Sequence, residues 1–262
     1  MIAGRSQAPP KTTTQPLPLT PPRFRSRTKQ TGAKWGNSVS GVAEDKRLAV
    51  IRATFGCAED TARVIDGLAQ LVESEPEGTI LWAGQAKPYV FLLIEGRAQA
   101  VVYSAQGQLV LLDTYAPGDL FGDLNAMEGT SSGDEVIAVT HVEAGRIRQH
   151  DFALLLENHP ALALAVLRQV TARLSRTARR MVERTTLSAT GRIYAELLRQ
   201  ARAHDGRTIT PVPTMTELAL IVQSTRETVS RTINDLERRG YISRDKDALM
   251  IVAPHRVEEL II

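Results

Sequence analysis

The chain has 262 residues, 43% of them hydrophobic, 23% charged and 5% aromatic, with a formal net charge of +3. This length suggests two modest domains or one with appendages, and the apolar share excludes wholesale disorder. There is no run of 18 unbroken apolar residues and no apolar leader at the N-terminus, and the one cysteine, Cys57, cannot form an internal disulfide or a four-thiolate metal site, so a protein of the reducing cytoplasm without membrane partner is expected.

Residues 1–43 carry seven lysines and arginines and no acid, so the rest of the chain is net acidic. Residues 1–45 are rich in Pro, Thr, Ser and Gly and lack apolar periodicity. Such a segment cannot bury enough surface to offset its ordering entropy and reads as disordered. It serves either as a basic arm adding salt-sensitive affinity for DNA or as a solvated tail, and charge alone favours the second.

From Glu44 to about Glu75 the pattern is helical, with Val64, Ile65, Leu68 and Leu71–Val72 at three- and four-residue spacing. Residues 79–148 then read as short β segments (TILWAG, YVFLLIEG, AQAVVYS, LVLLDTYAPG, VIAVTHVEAGRI). They are punctuated by Gly84, Gly96, Gly107, Gly118 and Gly122. Turn signals at that spacing predict a sandwich or barrel and not a parallel α/β sheet.

A short helix over 151–158 stops near Pro160, and a long one runs from Ala161 to about Thr185, about 37 Å at 1.5 Å per residue. Leu164, Leu167, Val170, Leu174, Ala178 and Met181 line one side, and Arg168, Arg173, Arg176, Arg179 and Arg180 the other. The stripe can pack on the barrel or on a copy of itself as a coiled coil; the helix is longer than one small barrel needs, which favours the copy.

A third region follows Thr190-Gly191. Residues 190–203 are helical, and Thr214 to Glu217 has capping-box spacing and starts a short helix ending near Gln223. Ser224 to Glu227 repeats the spacing and starts a second helix to about Arg239, ended by Gly240. Tyr241 to Val252 reads as a hairpin turning at Asp245-Lys246-Asp247, which makes a winged helix-turn-helix.

In the second helix Val229, Ile233 and Leu236 face the core, leaving Arg226, Glu227, Thr228, Ser230 and Arg231 on other faces near its start. Arginine can bond guanine O6 and N7, and a carboxylate can accept from cytosine N4. Ser224 or Thr225 can cap the helix and donate to a phosphate. Arg238, Arg239, Arg244 and Lys246 can reach the DNA backbone.

The run Q-S-T-R-E-T-V-S-R-T-I-N-D-L-E, with E-L-A-x-x-V before it and G-Y-I after, resembles the recognition motif of the cyclic-AMP receptor protein and fumarate–nitrate regulator family. The likeness extends to A-P-G-D-L-F-G-D-L (116–124), the long helix and T-G-R-I (190–193), over roughly residues 50–255. It implies an α+β fold: a cyclic-nucleotide-binding-like β-roll (46–158), a dimerisation helix (159–186) and a winged helix-turn-helix (187–262). It also implies a homodimeric regulator that binds double-stranded DNA and meets RNA polymerase. By position, Arg226, Glu227 and Arg231 match base-reading residues, Thr225 a phosphate contact, and Ser230 a serine of the fumarate–nitrate branch. Gln223 stands where the turn often holds glycine.

In nucleotide-binding members of that family a Gly-Glu-Leu is followed about ten residues later by Arg-Ser-Ala, which holds the cyclic phosphate. Gly122-Asp123-Leu124 matches the opening, but Ser132, Gly133, Asp134 and Glu135 stand where the arginine belongs. Thr177 matches a base-contacting threonine, and Ala178 replaces a serine that would cross the dimer. Two acids beside a phosphate repel it, so no cofactor is expected to be required. Arg97 or Arg146 supplying the missing cation, or a different small effector, would reopen the pocket. The alternative is a cyclic-nucleotide-dependent regulator with a degenerate cassette.

No cysteine cluster supports an oxygen-sensing iron–sulfur centre, and His141, His150, His159, His204 and His255 show no haem-ligand spacing. No metal site and no catalytic residue is expected, since hydrolase, metalloprotease and phosphate-loop motifs are missing from the sequence.

Overall fold

The computed structural model describes residues 28–29, 41–83, 89–104, 109–124, 134–245 and 247–261. The first elements are β1 (Thr28–Lys29), α1 (Gly41–Phe55), α2 (Glu59–Leu68) and β2 (Gln70–Ser74). The sequence reading is corrected here in three places. Thr28 and Lys29 pair with Ser74 and Glu73 inside the segment read as disordered, and α1 begins at Gly41, ahead of Glu44. The pattern read as helical to Glu75 breaks after Phe55, where Gly56 takes φ +62°, and its last residues become a strand. Leu71 and Val72 alternate across β2, Leu71 towards the helices and Val72 between the sheets. A five-residue strand shows too few alternations to be separated from a helical stripe by period alone.

The β domain continues with β3 (Thr79–Leu81), β4 (Tyr89–Glu95), β5 (Ala98–Tyr103), β6 (Leu109–Tyr115), β7 (Leu120–Gly122), β8 (Glu135–Ala138) and β9 (Val142–Arg148). Two antiparallel sheets form, in the orders β1-β2-β9-β4-β7 and β3-β8-β5-β6. The run VIAVTHVEAGRI is two strands in different sheets, split at Val139–His141. β4 is apolar and buried from Val90 to Ile94 because both its faces are covered. Phe91 and Leu93 enter the layer between the sheets, where Phe121 stacks on Phe91 at 5.1 Å and on Tyr115 at 4.9 Å. Val90, Leu92 and Ile94 face a second layer built with Ile51, Phe55, Ile65, Phe152, Leu155 and Leu162 from the helices.

Two helices leave the barrel, α3 (Gln149–Asn158) and α4 (Pro160–Thr186). α4 rests on the barrel through Leu162, Ala165 and Val166. Leu164, Leu167, Leu174 and Met181 are not covered by it; Leu174 is 67% exposed and Met181 69%. The C-terminal unit comprises α5 (Ala189–Arg202), β10 (Thr208–Ile209), α6 (Met215–Val222), α7 (Arg226–Arg238), β11 (Ile242–Arg244), β12 (Leu249–Ile251) and α8 (Pro254–Glu258). Its core joins Ile193, Leu197, Leu218, Val229, Ile233, Leu236 and Ile251 beneath the sheet β10-β12-β11. Burying these seven apolar side chains contributes on the order of 10–20 kcal/mol before conformational entropy is set against it.

The units touch. Arg97, in the turn before β5, lies 3.7 Å from Glu217 of α6, and Arg199 of α5 holds both carboxylate oxygens of Glu183 near the end of α4 at 2.6 and 2.7 Å. Among the described residues no helix is long and apolar enough to cross a membrane.

Candidate nucleic-acid interface and neighbouring cavity

Two helices and the turn between them build the first candidate site. Thr214 and Glu217 form the reciprocal cap of α6: the Thr214 hydroxyl accepts from Glu217 N at 3.1 Å and the Glu217 carboxylate from Thr214 N at 2.8 Å. α6 ends at Gln223, whose φ of +50° turns the chain into Ser224 and Thr225. Thr225 caps α7, its hydroxyl accepting from Thr228 N at 3.2 Å. The Ser224–Glu227 box expected from spacing is not formed, because Thr225, one residue later, takes the cap.

With Val229, Ile233 and Leu236 anchored below, α7 leaves Thr225, Arg226, Glu227 and Arg231 exposed, and Ser224, Thr228 and Ser230 half-buried. Helical spacing puts Arg226, Glu227, Ser230 and Arg231 on one side of the helix start. Its own backbone N–H and the Thr225 hydroxyl hold the Glu227 carboxyl below the usual carboxylate range, so it is an acceptor at neutral pH. Arg231 also borders a shallow groove with Thr190, Tyr194, Asn234, Asp235 and Arg238. Arg238 and Arg239 both pair with Asp235, and Arg238 stays exposed while it does so. Arg244 lies 3.3 Å from Glu237, and Lys246 lies outside the described residues.

The second candidate lies between the barrel and α4, a cavity of about 100 Å³ walled by Asp113, Tyr115, Leu124, Gln169, Val170 and Arg173, among others. Asp113 is buried on β6 and accepts from Thr114 N at 2.9 Å. Arg173 reaches in from α4, placing Nε 2.5 Å from Asp113 Oδ2 and its guanidinium 4.7 Å from the Tyr115 ring centre. Arg180 adds a second cation 3.8 Å from Asp113. Gln169 ties the helix to the barrel backbone, accepting from Leu120 N and donating to Gly118 O. Burial pushes the neighbouring Asp119 carboxyl up, against the Ala116 N–H and Arg176.

Of the four residues read as an effector pocket, only Leu124 walls this cavity. Gly122 and Asp123 lie at the end of β7, where Asp123 N donates to Tyr89 O at 3.0 Å. Gly122 takes φ +91°, and a Cβ there would sit 2.6 Å from Tyr89 O. Thr177 is exposed, one turn and about 6 Å along the axis beyond Arg173. Asn125–Gly133, the stretch matching the phosphate cassette, lies outside the described residues. Glu135, expected to face a bound phosphate, instead accepts from the Thr79 hydroxyl at 2.8 Å within the second sheet. Arg173, read as lying opposite the apolar stripe, points into the cavity. The sequence held a signal for Asp113: it shares parity with Leu111 and Tyr115, so strand alternation buries it, and a buried acid requires a cation.

Comparison with known proteins matches residues 71–159 to the cyclic nucleotide-binding domain and residues 191–260 to the Crp-like helix-turn-helix domain. The chain is 24% identical over 188 residues to the CRP-like cAMP-activated global transcriptional regulator of Mycobacterium tuberculosis, covering 70% of this chain and 84% of that one. It is 26% identical over 180 residues to the cAMP-activated global transcriptional regulator CRP of Salmonella typhimurium, covering 67% and 86%. Among solved structures, a CooA mutant from Carboxydothermus hydrogenoformans superposes with a TM-score of 0.67 at 17% identity, covering 76% of this chain and 90% of that one. FixK2 from Bradyrhizobium japonicum gives 0.64 at 16%, covering 73% and 96%.

Proposed function

We propose, for a chain that belongs to the Crp/Fnr family of DNA-binding transcription regulators, a homodimer that reads a TGA-containing inverted repeat without needing cyclic AMP. The observation that carries the reading is the exposed set Arg226, Glu227 and Arg231 on the first turns of α7. A recognition helix presents its N-terminal residues to base edges in the major groove, where arginine reads guanine and a carboxylate reads cytosine. Ser224, Thr225, Thr228 and Ser230 lie beside them and donate to phosphates or base edges, with Arg238 on the flanking backbone.

Dimerisation is supported by the stripe Leu164, Leu167, Leu174 and Met181, which the barrel leaves exposed. Its spacing of three and seven residues is that of a coiled-coil seam. Two copies joined there carry two recognition helices, which meet successive major grooves about 34 Å apart on an inverted repeat. Bound beside a promoter in the cytoplasm, the dimer meets RNA polymerase.

Independence from cyclic AMP is supported by the cavity. Arg173 already forms an ion pair with Asp113 there, and the remaining 100 Å³ is well below the roughly 300 Å³ at which small-molecule sites begin. The relatives named as cAMP-activated favour the second reading, in which a cyclic nucleotide opens this cavity and drives DNA binding.

Selection of binding sites from random duplex DNA, with and without cyclic AMP, tests both. The proposal expects a twofold-symmetric motif with a TGA core in both arms. A motif lacking twofold symmetry rejects the dimeric reading. Micromolar cyclic AMP that binds and also raises operator affinity establishes the second reading in place of the first.

A further inference from the structure

We infer that Arg192 is a positioning residue for DNA recognition, a guanidinium that joins the end of the long helix to the turn in front of α7. The inference rests on the reading that α7 contacts DNA. Arg192 lies in the first turn of α5. Each of its three nitrogens donates to a main-chain carbonyl: Nη1 to Leu187 O at 3.0 Å, Nε to Val222 O at 2.9 Å and Nη2 to Gln223 O at 3.2 Å.

These carbonyls belong to two helix ends. Leu187 caps α4. Val222 is the last residue of α6 and Gln223 its cap. The last carbonyls of a helix have no intrahelical donor and carry the negative end of its dipole, so a cation with several fixed donors suits them. Lysine offers one mobile ammonium group and cannot hold three carbonyls in fixed directions.

The turn needs such a hold. Gln223 occupies the left-handed region at φ +50°, which a residue with a Cβ adopts reluctantly. Its Nε2 is buried and has no hydrogen-bond partner among the described residues. Both features disfavour this conformation, and Arg192 fixes the carbonyls of the peptide bonds that enter and leave Gln223. Thr225, two residues on, sets the entry of α7. Arg192 therefore gives a shift at the C-terminus of α4 a direct hydrogen-bonded route to the turn that starts the recognition helix.

The test uses the full chain and the duplex that the wild-type protein selects from random sequence. Arg192→Lys should lose tenfold or more in affinity for that duplex. Its binding to a random duplex at low salt, and the slope of affinity against salt, should stay unchanged, since no phosphate contact is removed. Adding Gln223→Gly should restore part of the loss, because glycine forms the turn unaided. Wild-type affinity in Arg192→Lys overturns the inference, as does an equal loss on both duplexes or no recovery with Gln223→Gly. If Arg192→Lys does not fold, recovery of folding in the double variant supports the inference, and failure of both to fold overturns it. Failure of the wild-type chain to select any duplex rejects the DNA-binding role of α7 instead.

Discussion

Arg173 of α4 meets Asp113 of β6 inside the barrel–helix cavity, with 2.5 Å between Nε and Oδ2. The carboxylate is buried while the guanidinium keeps part of its surface, so the two partners are unequal. Removing the cation strands a buried charge; removing the acid leaves a cation that still reaches water. Arg173→Ala should therefore lower stability by about 2–3 kcal/mol, less than a fully buried pair because Arg180 remains 3.8 Å from Asp113. Asp113→Asn should cost less. Urea unfolding of the two variants checks the order, and equal losses would show that burial of Asp113 is not the deciding factor.

At the recognition helix, Arg231→Ala should cost about 1–3 kcal/mol of operator affinity and relax preference at one base position. Arg238→Ala, on the flank of the groove, should weaken all duplexes alike and reduce the salt slope by about 1. Binding isotherms on the selected site and on single-base variants, each at three salt concentrations, separate the roles. Equal relaxation of specificity by both changes would contradict the assignment.

Leu174 is 67% exposed on the outward stripe of α4. In a coiled-coil dimer an aspartate there is buried without a partner at the seam. Leu174→Asp should sediment as a monomer at concentrations where the wild-type chain is a dimer, with its circular dichroism unchanged. A dimer persisting in both Leu174→Asp and Val170→Asp places the seam elsewhere.

Asp205 holds the turn after α5. Its carboxylate accepts from the Thr208 hydroxyl at 2.7 Å and from the backbone N–H groups of Thr208 and Arg207 at 2.6 and 2.8 Å. The Thr208 hydroxyl and then these amides bring its pKa down to about 2. A depressed acid stabilises the fold above its unfolded pKa of about 3.9 and loses that contribution as pH falls through the folded value. Carboxyl chemical shifts should show Asp205 ionised at pH 3, and local order around Arg207 and Thr208 should fade between about pH 4 and 2. An ordinary titration near pH 4 would mean that these hydrogen bonds do not form in solution.

The winged helix was the most legible part of the sequence. Capping residues at Thr214 and Thr225, the stripe Val229, Ile233, Leu236 and the stop at Gly240 are local signals, each acting within four residues, and they fix helices whose polar face follows from the apolar one. The long helix was legible for the same reason, since 27 residues give its period many repeats. β2 and β7 were not, because strands of five and three residues acquire their identity from partners distant in the chain: Gln70 pairs with Arg146, and Leu120 with Leu92.

Sequence alone determined which side chains α7 would expose, and that α4 would carry an apolar stripe. Tertiary structure decided what the stripe left uncovered and where the charges went. Arg173 lies in a run of arginines that looks alike along the helix, yet the barrel wall singles it out by presenting a buried carboxylate. Arg192 stands 30 residues from Val222, and its three carbonyl partners come from two helix ends that only folding brings together. Local periodicity is written in neighbouring residues; a charge pair or a donor fork depends on distances between segments, and those exist only once the layers have packed.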